Sequence, residues 1–246
     1  MKAMVLAAGL GTRLLPLTDH QPKALVEVGG RTLLDMTLGR LRAAGVSEVI
    51  INVHHFAEMI LHYLYINNNF GMHIEISRED ILLDTGGGLK KAGWFFTGNG
   101  SDEPFILHNV DVISAVDLAR MVERHKQRGA LSTIAVQERE TSRYLLFDER
   151  MQLCGRRMGR DGKPEMVRQA PEAEALAFTG IHVISPRVVG MLKEEGVFSI
   201  IPAYLRLAGA GEKILGFRAD EYYWRDLGKL SELQQAEEDF RQKLFT

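Results

Sequence analysis

The sequence contains little cysteine, no excess of basic residues and no long apolar run. Its 246 residues include a single cysteine, Cys154, which excludes an intramolecular disulfide framework and fits a reducing compartment. The formal net charge of −2 argues against a nucleic-acid-binding surface, which usually carries a basic excess. The apolar run near the N-terminus extends only from Ala3 to Gly9, which is too short for a membrane span and lacks a secretory flank. We therefore expect a cytoplasmic protein with neither a nucleic-acid nor a membrane partner.

Strand-like and helix-like segments alternate along most of the chain. Patterns typical of strands cover 4–8, 48–53, 72–77, 104–112, 131–136 and 177–185. Helical patterns cover 31–44, 56–66, 117–129, 199–209 and 229–244, and a glycine-rich loop at 84–88 precedes a further short helix. The alternation predicts an α/β fold with a doubly wound, mostly parallel sheet flanked by helices. The charged segment 144–171 predicts a small inserted hairpin region, and without a visible linker we expect residues 1–246 to form one domain.

The loop after the first strand has the residues that a phosphate-binding loop needs. Gly9 and Gly11 allow a sharp turn and a close approach of backbone N–H groups to an anion. Arg13 adds a planar cation suited to phosphate oxygens, and Pro22 restrains the chain just before a second cation, Lys23. A simpler interpretation is a tight turn with two surface cations. The combination favours phosphate binding, although neither the dinucleotide-binding glycine pattern nor the P-loop pattern is present.

Five segments of the chain resemble those of the sugar-1-phosphate nucleotidylyltransferases. In chain order they are LAAGLGTRLLPLT…PKAL (6–25), DTGGGLKKA (84–92), LHNVDV (107–112), FTGIHVIS (178–185) and YYWRDLGKLSEL (222–233). The compact members that the chain most resembles are the N-acetylmuramate 1-phosphate uridylyltransferases and the mannose-1-phosphate guanylyltransferases. The resemblance implies a Rossmann-like fold and an enzyme that joins UTP or GTP to a sugar 1-phosphate and releases pyrophosphate. It is compatible with a monomer or a homodimer.

The resemblance also implies roles for individual residues. Arg13 and Lys23 would be catalytic residues that stabilise phosphate charge, and Gly180, at the end of a strand, would let the sugar approach. The metal ligands, for Mg²⁺, would be Asp111 and Asp226. The nucleotide-binding positions would be Ala8, Gly9, Gly11, Thr12, Thr85, Gly86, Gly87 and Asn109.

Asp111 and Asp226 have other interpretations when each is considered alone. A carboxylate at the end of a strand is often a helix N-cap, and Asp226 could form an ion pair with the adjacent Arg225. Two carboxylates beside a phosphate-binding loop, however, match Mg²⁺, which typically binds one or two carboxylates together with substrate phosphates.

The chain departs from the family pattern at two places. Val110 stands where many members have glycine. In the stretch Gly162-Lys163-Pro164, glycine replaces the acid of a Glu-Lys-Pro element that contacts the sugar in many members, and the surroundings resemble a hairpin tip. We therefore assign no sugar-binding role to Lys163.

Two other functions are compatible with the same fold. A phosphocholine cytidylyltransferase would use CTP and would need an aromatic cage for the quaternary ammonium group, for which Tyr222, Tyr223 and Trp224 are candidates. A non-catalytic, nucleotide-binding regulatory subunit should have lost some of the charged site residues. Because Arg13, Lys23, Asp111 and Asp226 are all present, we favour an enzyme.

Overall fold

The structure, a computed structural model, describes residues 1–98, 100 and 102–245. The strands are β1 (Lys2–Leu6), β2 (Glu27–Val28), β3 (Arg31–Thr32), β4 (Glu48–Val53), β5 (His73–Arg78), β6 (Phe105–Asn109), β7 (Val112–Ser114), β8 (Ser132–Gln137), β9 (Arg143–Phe147), β10 (Leu153–Met158), β11 (Glu165–Met166), β12 (Glu174–Ile184), β13 (Ile214–Arg218) and β14 (Trp224–Asp226). The helices are α1 (Leu33–Ala43), α2 (Ala57–Ile66), α3 (Asp84–Ala92), α4 (Trp94–Thr97), α5 (Leu118–Arg128), α6 (Arg187–Met191), α7 (Ile200–Gly209) and α8 (Leu230–Arg241). Short 3-10 turns cover Thr12–Leu14, Lys23–Leu25 and Asn68–Gly71.

The described chain divides into two compact units, and each unit is built from separate segments. The first contains residues 1–83, 107–118 and those from 222 onward. The second contains Asp84–Ile106 and Ala119–Glu221. Chain order therefore does not separate the units into successive domains, and the expectation of one domain over 1–246 stays a prediction.

The first unit contains parallel strands joined by helical crossovers. β1 pairs with β4 and β4 pairs with β5, both in parallel, while β6 lies beside β1 on its other side. The central residues of β1 and β4 are fully buried, as expected for parallel strands whose two faces are covered. α1 precedes β4 and α2 precedes β5, so the strand–helix alternation read from the sequence is present.

The second unit contains the antiparallel part of the fold. β8 pairs in parallel with β13 and antiparallel with β12, and the antiparallel pairing continues from β12 through β9 and β10 to β11. The hairpins formed by β9, β10 and β11 confirm the inserted hairpin region predicted for 144–171. The predicted α/β class, a mixed but mostly parallel sheet flanked by helices, is confirmed.

The prediction of one continuous strand over 104–112 was wrong. β6 ends at Asn109, the chain turns at Val110 and Asp111, and β7 begins at Val112. The turn forms because the Val110 N–H donates to the Leu6 carbonyl, while β7 pairs with β14 in a separate two-stranded sheet. Asn109 and Asp111 interrupt the apolar run, but the change of neighbouring strand, from β1 beside β6 to β14 beside β7, depends on distant segments that the local pattern does not show.

The Gly162-Lys163-Pro164 stretch lies between β10 and β11, at the hairpin tip expected from the sequence. A Cβ on Gly162 would lie only 1.8 Å from the Met158 carbonyl oxygen, so the turn requires glycine there. Of the helices in the described chain, none combines the length and apolar composition that a membrane crossing needs.

Candidate functional site

The two predicted charges Lys23 and Asp111 form an ion pair in the first unit. Pro22 is extended and leads into the 3-10 turn Lys23–Leu25, which directs the lysine side chain inward. The distance from Lys23 Nζ to Asp111 Oδ2 is 2.5 Å, and the lysine side chain is only 8% exposed. A buried ammonium group needs such a partner because leaving the charge unpaired costs much free energy. Lys23 is therefore not one of the surface cations considered in the simpler interpretation of this loop.

The β7–β14 ribbon brings Asp226 next to Asp111. Asp226 pairs with Val112 in the antiparallel register, and the Leu227 N–H donates to the Asp111 carbonyl at 2.8 Å. Residues more than a hundred positions apart in the chain therefore lie on neighbouring strands. This pairing was not visible in the sequence, since each strand contributes only three residues.

The charges around Asp226 have opposing effects on its carboxyl group. Burial of the carboxyl group away from water has the largest effect and raises the pKa of Asp226. The negative charge of Asp111 raises this pKa further. Lys23, the Gly228 N–H and Arg13 act in the opposite direction, and the net pKa lies above the ordinary value. Two carboxylates that repel each other in this way would be stabilised by a cation between them.

Arg13 lies against Gly228, close to Asp226. A Cβ on Gly228 would be 2.6 Å from Arg13 Nη2 and 2.8 Å from Asp226 Oδ1, so a larger residue there would displace both side chains. The Gly228 N–H donates to Asp226 Oδ1 at 2.7 Å. Sequence analysis assigned no role to Gly228, although it closes the RDLG segment that contains Asp226.

The glycine loop after β1 is folded back toward Lys23. Gly11 has a φ of 68°, and a Cβ there would be 2.9 Å from Thr18 Cγ2 and 3.3 Å from Lys23 Cβ. The Gly11 carbonyl accepts from both the Leu14 N–H and the Thr18 hydroxyl. Nothing lies within 4 Å of a Cβ built on Gly9, so the space beside that residue is open. Ala8 is buried beside it, whereas Thr12 is exposed and begins the short 3-10 turn Thr12–Leu14.

Asn109 lies at the end of β6 with an unsatisfied polar atom. Its Oδ1 is buried and has no hydrogen-bond partner among the residues that the structure describes. A buried acceptor without a donor is unfavourable, so a ligand donor at this position would be stabilising.

A buried polar network that sequence analysis missed holds the start of the glycine loop. Asn52 Oδ1 accepts from the Ala7 N–H at 2.7 Å, and Asn52 Nδ2 donates to Glu79 Oε1 at 2.8 Å. Glu79 Oε2 accepts in turn from the Leu83 N–H. Asn52 was detectable as the one polar residue in the apolar run VIINV (49–53), a position where a buried polar group needs a partner.

In the second unit, Thr85, Gly86 and Gly87 lie in the first turns of α3, so the prediction of a loop at 84–88 was wrong. The N–H groups of Gly86 and Gly87 both donate to the Phe198 carbonyl, and Thr85 Oγ1 accepts from the Ile200 N–H. A Cβ on Gly86 would lie 2.3 Å from the Phe198 ring. The glycines therefore allow close packing of a helix, which overrides their low helix propensity.

Gly180 lies within β12 and not at the end of a strand, which corrects the sequence-based position. It has a φ of 84°, and the pairing of β12 with β8 shifts register between Phe178 and His182. The irregularity at Gly180 is a β-bulge, where glycine is favoured because its backbone adopts a positive φ without strain. The neighbouring Thr179 hydroxyl donates to the Ala135 carbonyl and fixes the strand on either side of the bulge.

The proposed Arg225–Asp226 ion pair does not form. Arg225 instead pairs with Glu232 at 2.6 Å and with Asp239 at 2.8 Å, and Asp239 also accepts from the Tyr223 hydroxyl. Arg225 therefore does not neutralise the carboxylate of Asp226. Within the described ranges, no group of three or more His, Cys, Asp or Glu side chains is arranged to hold a metal ion.

Comparison with known proteins gives the family of the chain. The nucleotidyl transferase family model matches residues 2–243. The chain therefore belongs to the nucleotidyl transferase family. The assignment to the sugar-1-phosphate nucleotidylyltransferases, and with it the prediction of an enzyme, is confirmed.

Several relatives of the chain are named as nucleotidyltransferases of sugar phosphates. The N-acetylmuramate alpha-1-phosphate uridylyltransferase of Caulobacter vibrioides is 35% identical, over 92% of this chain and 91% of its own length. The UTP–glucose-1-phosphate uridylyltransferase of Synechocystis is 29% identical, over 96% of this chain but 62% of its own length. The mannose-1-phosphate guanyltransferase of Yarrowia lipolytica is 31% identical, over 93% of this chain and 61% of its own length. The chain thus spans nearly all of the first relative and less than two thirds of the other two.

Solved structures support the fold. A UDP-glucose pyrophosphorylase complexed with UDP-glucose has a TM-score of 0.80 and 18% identity, with 98% of both chains covered. A putative glucose-1-phosphate thymidylyltransferase from Bacillus anthracis has a TM-score of 0.78 and the same identity, over 97% of this chain and 94% of its own. At these identities the likeness establishes the fold alone.

Proposed function

We propose that the chain transfers a nucleotidyl group from UTP or GTP to a sugar 1-phosphate, giving a nucleotide sugar and pyrophosphate. The observation that carries the proposal is the arrangement in the first unit, where Lys23 pairs with Asp111, and where Asp226 on β14 lies opposite Val112, the residue after Asp111. The relatives, which are named as uridylyl- and guanylyltransferases of sugar phosphates, support the same reaction class.

The proposed reaction needs charge neutralisation more than proton transfer. A phosphate monoester has a second pKa of about 6, so the attacking oxygen is largely deprotonated at neutral pH and needs no general base. The barrier comes from repulsion between two anions and from the alignment of the attack on the α-phosphorus. Preorganised cations and backbone N–H groups supply what such a reaction requires.

The proposed roles follow from the positions of the residues in the first unit. Arg13 stabilises the leaving pyrophosphate, and Lys23 contacts the α-phosphate or the sugar phosphate. The backbone of the loop at Ala8, Gly9, Gly11 and Thr12 holds the triphosphate. The unsatisfied Oδ1 of Asn109 accepts a hydrogen bond from the nucleotide.

The proposed base and sugar positions are Thr85, Gly86, Gly87 and Gly180. The N–H groups of Gly86 and Gly87 are already bonded to Phe198, so these glycines would act through the absence of side chains, which leaves a flat surface for a base. Thr85 lies in the same helical turn, and Gly180 would admit the sugar at the bulge of β12.

Asp111 and Asp226 fit a divalent cation and would hold Mg²⁺. Asp226 lies on β14 and Asp111 lies in the turn just before β7, the strand that pairs with β14, and the negative charge of Asp111 contributes to raising the pKa of Asp226. Mg²⁺ usually binds few protein carboxylates and completes its shell with water and substrate phosphates. When bound it would neutralise phosphate charge and orient the α-phosphate. Lys23 would then share Asp111 with the ion, because the amine already contacts one of its oxygens.

The two alternative functions gain no support. An ammonium cage would need the rings of 222–224 to face one space, but Tyr223 is hydrogen-bonded to Asp239 and stacked on Phe245. A regulatory subunit has no need of a buried lysine held on a carboxylate. Localisation in the cytoplasm, a monomeric or homodimeric state and a product that serves as a cell-envelope precursor stay predictions.

The test is a pyrophosphate-release screen with the full chain and Mg²⁺. Each of the four NTPs is combined with N-acetylmuramate, mannose, glucose and N-acetylglucosamine 1-phosphates, and with phosphocholine. We expect release with UTP or GTP and at least one sugar 1-phosphate. Release with CTP and phosphocholine alone would support the cytidylyltransferase, and release with no pair would support the regulatory subunit.

A further inference from the structure

A cavity in the second unit is lined by arginine side chains that sequence analysis did not single out. It measures about 350 Å³ and lies beside β9, β10 and β12, within the range of about 300–1,000 Å³ usual for small-molecule sites. Its lining includes Arg139, Arg157 and Arg160, together with Glu138, Glu140 and Tyr144.

Arg157 is the least satisfied cation of the cavity. It faces Tyr144 across the β9–β10 pair, and its guanidinium carbon lies 5.3 Å from the centre of the tyrosine ring. Its Nε is buried and has no hydrogen-bond partner among the described residues. A guanidinium group that lies over an aromatic ring and has an N–H donor without a partner can bind an oxyanion through that donor.

The carboxylates of the cavity are engaged with other arginines. Arg160 lies 3.8 Å from Glu140, and Arg218 lies 3.7 Å from Glu138. Within the described ranges no carboxylate lies at ion-pair distance from Arg157. The positive charge of Arg157 is thus not neutralised by a side chain.

The cavity is connected to the strand that carries Gly180. Arg139 Nη2 donates to the Phe178 carbonyl at 2.7 Å, two residues before Gly180 and at the start of the β12 bulge. Ala175 of the same strand lines the cavity. The arginines therefore lie next to the segment proposed to admit the sugar.

We propose that Arg157, with Arg139 and Arg160 beside it, binds an anionic group of the sugar substrate, either its 1-phosphate or a carboxylate carried by the sugar. This inference rests on the proposed function and names the chemistry by which the second unit selects its substrate. Phosphate and carboxylate both present paired oxygens to the planar fork of an arginine, and the experiment distinguishes them.

The chain contains a matched control for Arg157. Arg156 precedes it on β10, and adjacent strand residues point to opposite faces. Arg156 Nε donates to Glu165 Oε2 at 2.7 Å, away from the cavity lining. Arg157→Gln and Arg156→Gln therefore remove the same charge from the same strand but on opposite faces.

The experiment measures kcat and KM of wild type, Arg157→Gln, Arg157→Lys and Arg156→Gln with N-acetylmuramate 1-phosphate and N-acetylglucosamine 1-phosphate. The two sugars differ by a carboxylate-bearing ether. We expect Arg157→Gln to raise the KM for sugar phosphate by about tenfold to a hundredfold, the scale of one charged hydrogen bond, with the KM for NTP unchanged. Arg157→Lys should restore part of the loss.

The pattern across the two sugars identifies the anion. An equal rise in KM for both sugars indicates that Arg157 binds the 1-phosphate. A rise in KM for N-acetylmuramate 1-phosphate alone indicates that it binds the carboxylate. If Arg157→Gln behaves like Arg156→Gln with both sugars, the inference is wrong.

A binding measurement separates this inference from the proposed function. If wild type turns over neither sugar phosphate, calorimetric titration with the same two compounds and with inorganic phosphate still tests whether Arg157 binds an anion. Binding that is lost in Arg157→Gln and kept in Arg156→Gln supports the anion site in the absence of turnover. Equal binding in both variants, or none to wild type, overturns it.

Discussion

At the scale of single residues, the buried Lys23–Asp111 pair supports the proposed role of Lys23, which follows Arg13 by ten residues. A lysine side chain this deeply buried loses hydration, and the pair repays that loss only through close contact at 2.5 Å. The Asp111 side chain stays about a quarter exposed, so a ligand can reach part of it. A stabilising ion pair alone would not require Asp226 as a second carboxylate nearby, and this supports the proposed functional role of the arrangement.

Gly228 provides a residue-scale prediction. Gly228→Ala places a methyl group 2.6 Å from Arg13 and 2.8 Å from Asp226, so both side chains must move. We expect kcat for pyrophosphate release to fall by about a hundredfold, the scale reported for a catalytic group displaced by about 1 Å. Steady-state kinetics at saturating substrates measures the effect.

Gly190→Ala is the control for this change. Gly190 lies in α6, and nothing surrounds a Cβ there within 4 Å. It should leave kcat unchanged, because an added methyl group in open helical space is tolerated. Wild-type turnover by Gly228→Ala would show that Arg13 and Asp226 need not keep these positions.

At the scale of elements, α3 shows how tertiary packing overrides local propensity. Three consecutive glycines read as a loop, yet Gly86, Gly87 and Gly88 are all buried within the helix. The helix is held by the Phe198 carbonyl and ring, which come from a segment more than a hundred residues later. Because this contact joins segments that are far apart in the chain, the local sequence pattern does not predict the helix.

Gly86→Ala tests the packing of α3. Its Cβ would lie 2.3 Å from the Phe198 ring and 2.9 Å from its carbonyl oxygen. We expect the free energy of unfolding to fall by about 1–3 kcal/mol, the usual cost of overpacking. Urea unfolding compared with Gly190→Ala measures it, and equal stability of the two variants would contradict the packing described for α3.

His125 on α5 gives a pH-dependent prediction for the second unit. The side chain is 3% exposed and contacts the Thr133 hydroxyl, and burial, followed by Lys126, lowers the pKa of His125 to about 4. The unfolded chain therefore binds a proton that the folded chain excludes between about pH 6.5 and pH 4, so stability falls as the pH drops through this range.

The contribution of His125 is measured by urea unfolding at two pH values. When the pH falls from 7.5 to 5, the exclusion of this proton by folded His125 should lower the free energy of unfolding by about 2 kcal/mol. His125→Gln keeps a hydrogen-bonding group but cannot titrate. Over the same pH range its free energy of unfolding should therefore fall by about 2 kcal/mol less than that of wild type. Parallel losses in both proteins would mean that His125 is protonated in the folded state.

At the scale of the whole molecule, the sequence predicted the fold class and the charged residues of the candidate site better than their arrangement. Parallel strands buried on both faces leave continuous apolar runs, so β4 could be located to the residue. The turn at Asp111, the β7–β14 ribbon and the place of Gly180 inside β12 depend on pairing between distant segments. The arginines of the cavity were missed for the same reason, since their common position appears only when β9, β10 and β12 pair.

The central claim is that Lys23 and Asp111 neutralise phosphate charge in the proposed transfer reaction. The most direct measurement is kcat for pyrophosphate release by Lys23→Ala and Asp111→Asn, with the exposed Lys193→Ala as a control and thermal unfolding to verify folding. Each site variant should lose about a hundredfold or more, the scale of removing one preorganised electrostatic contact, while Lys193→Ala retains normal turnover. Near-normal turnover by both folded site variants would contradict the account.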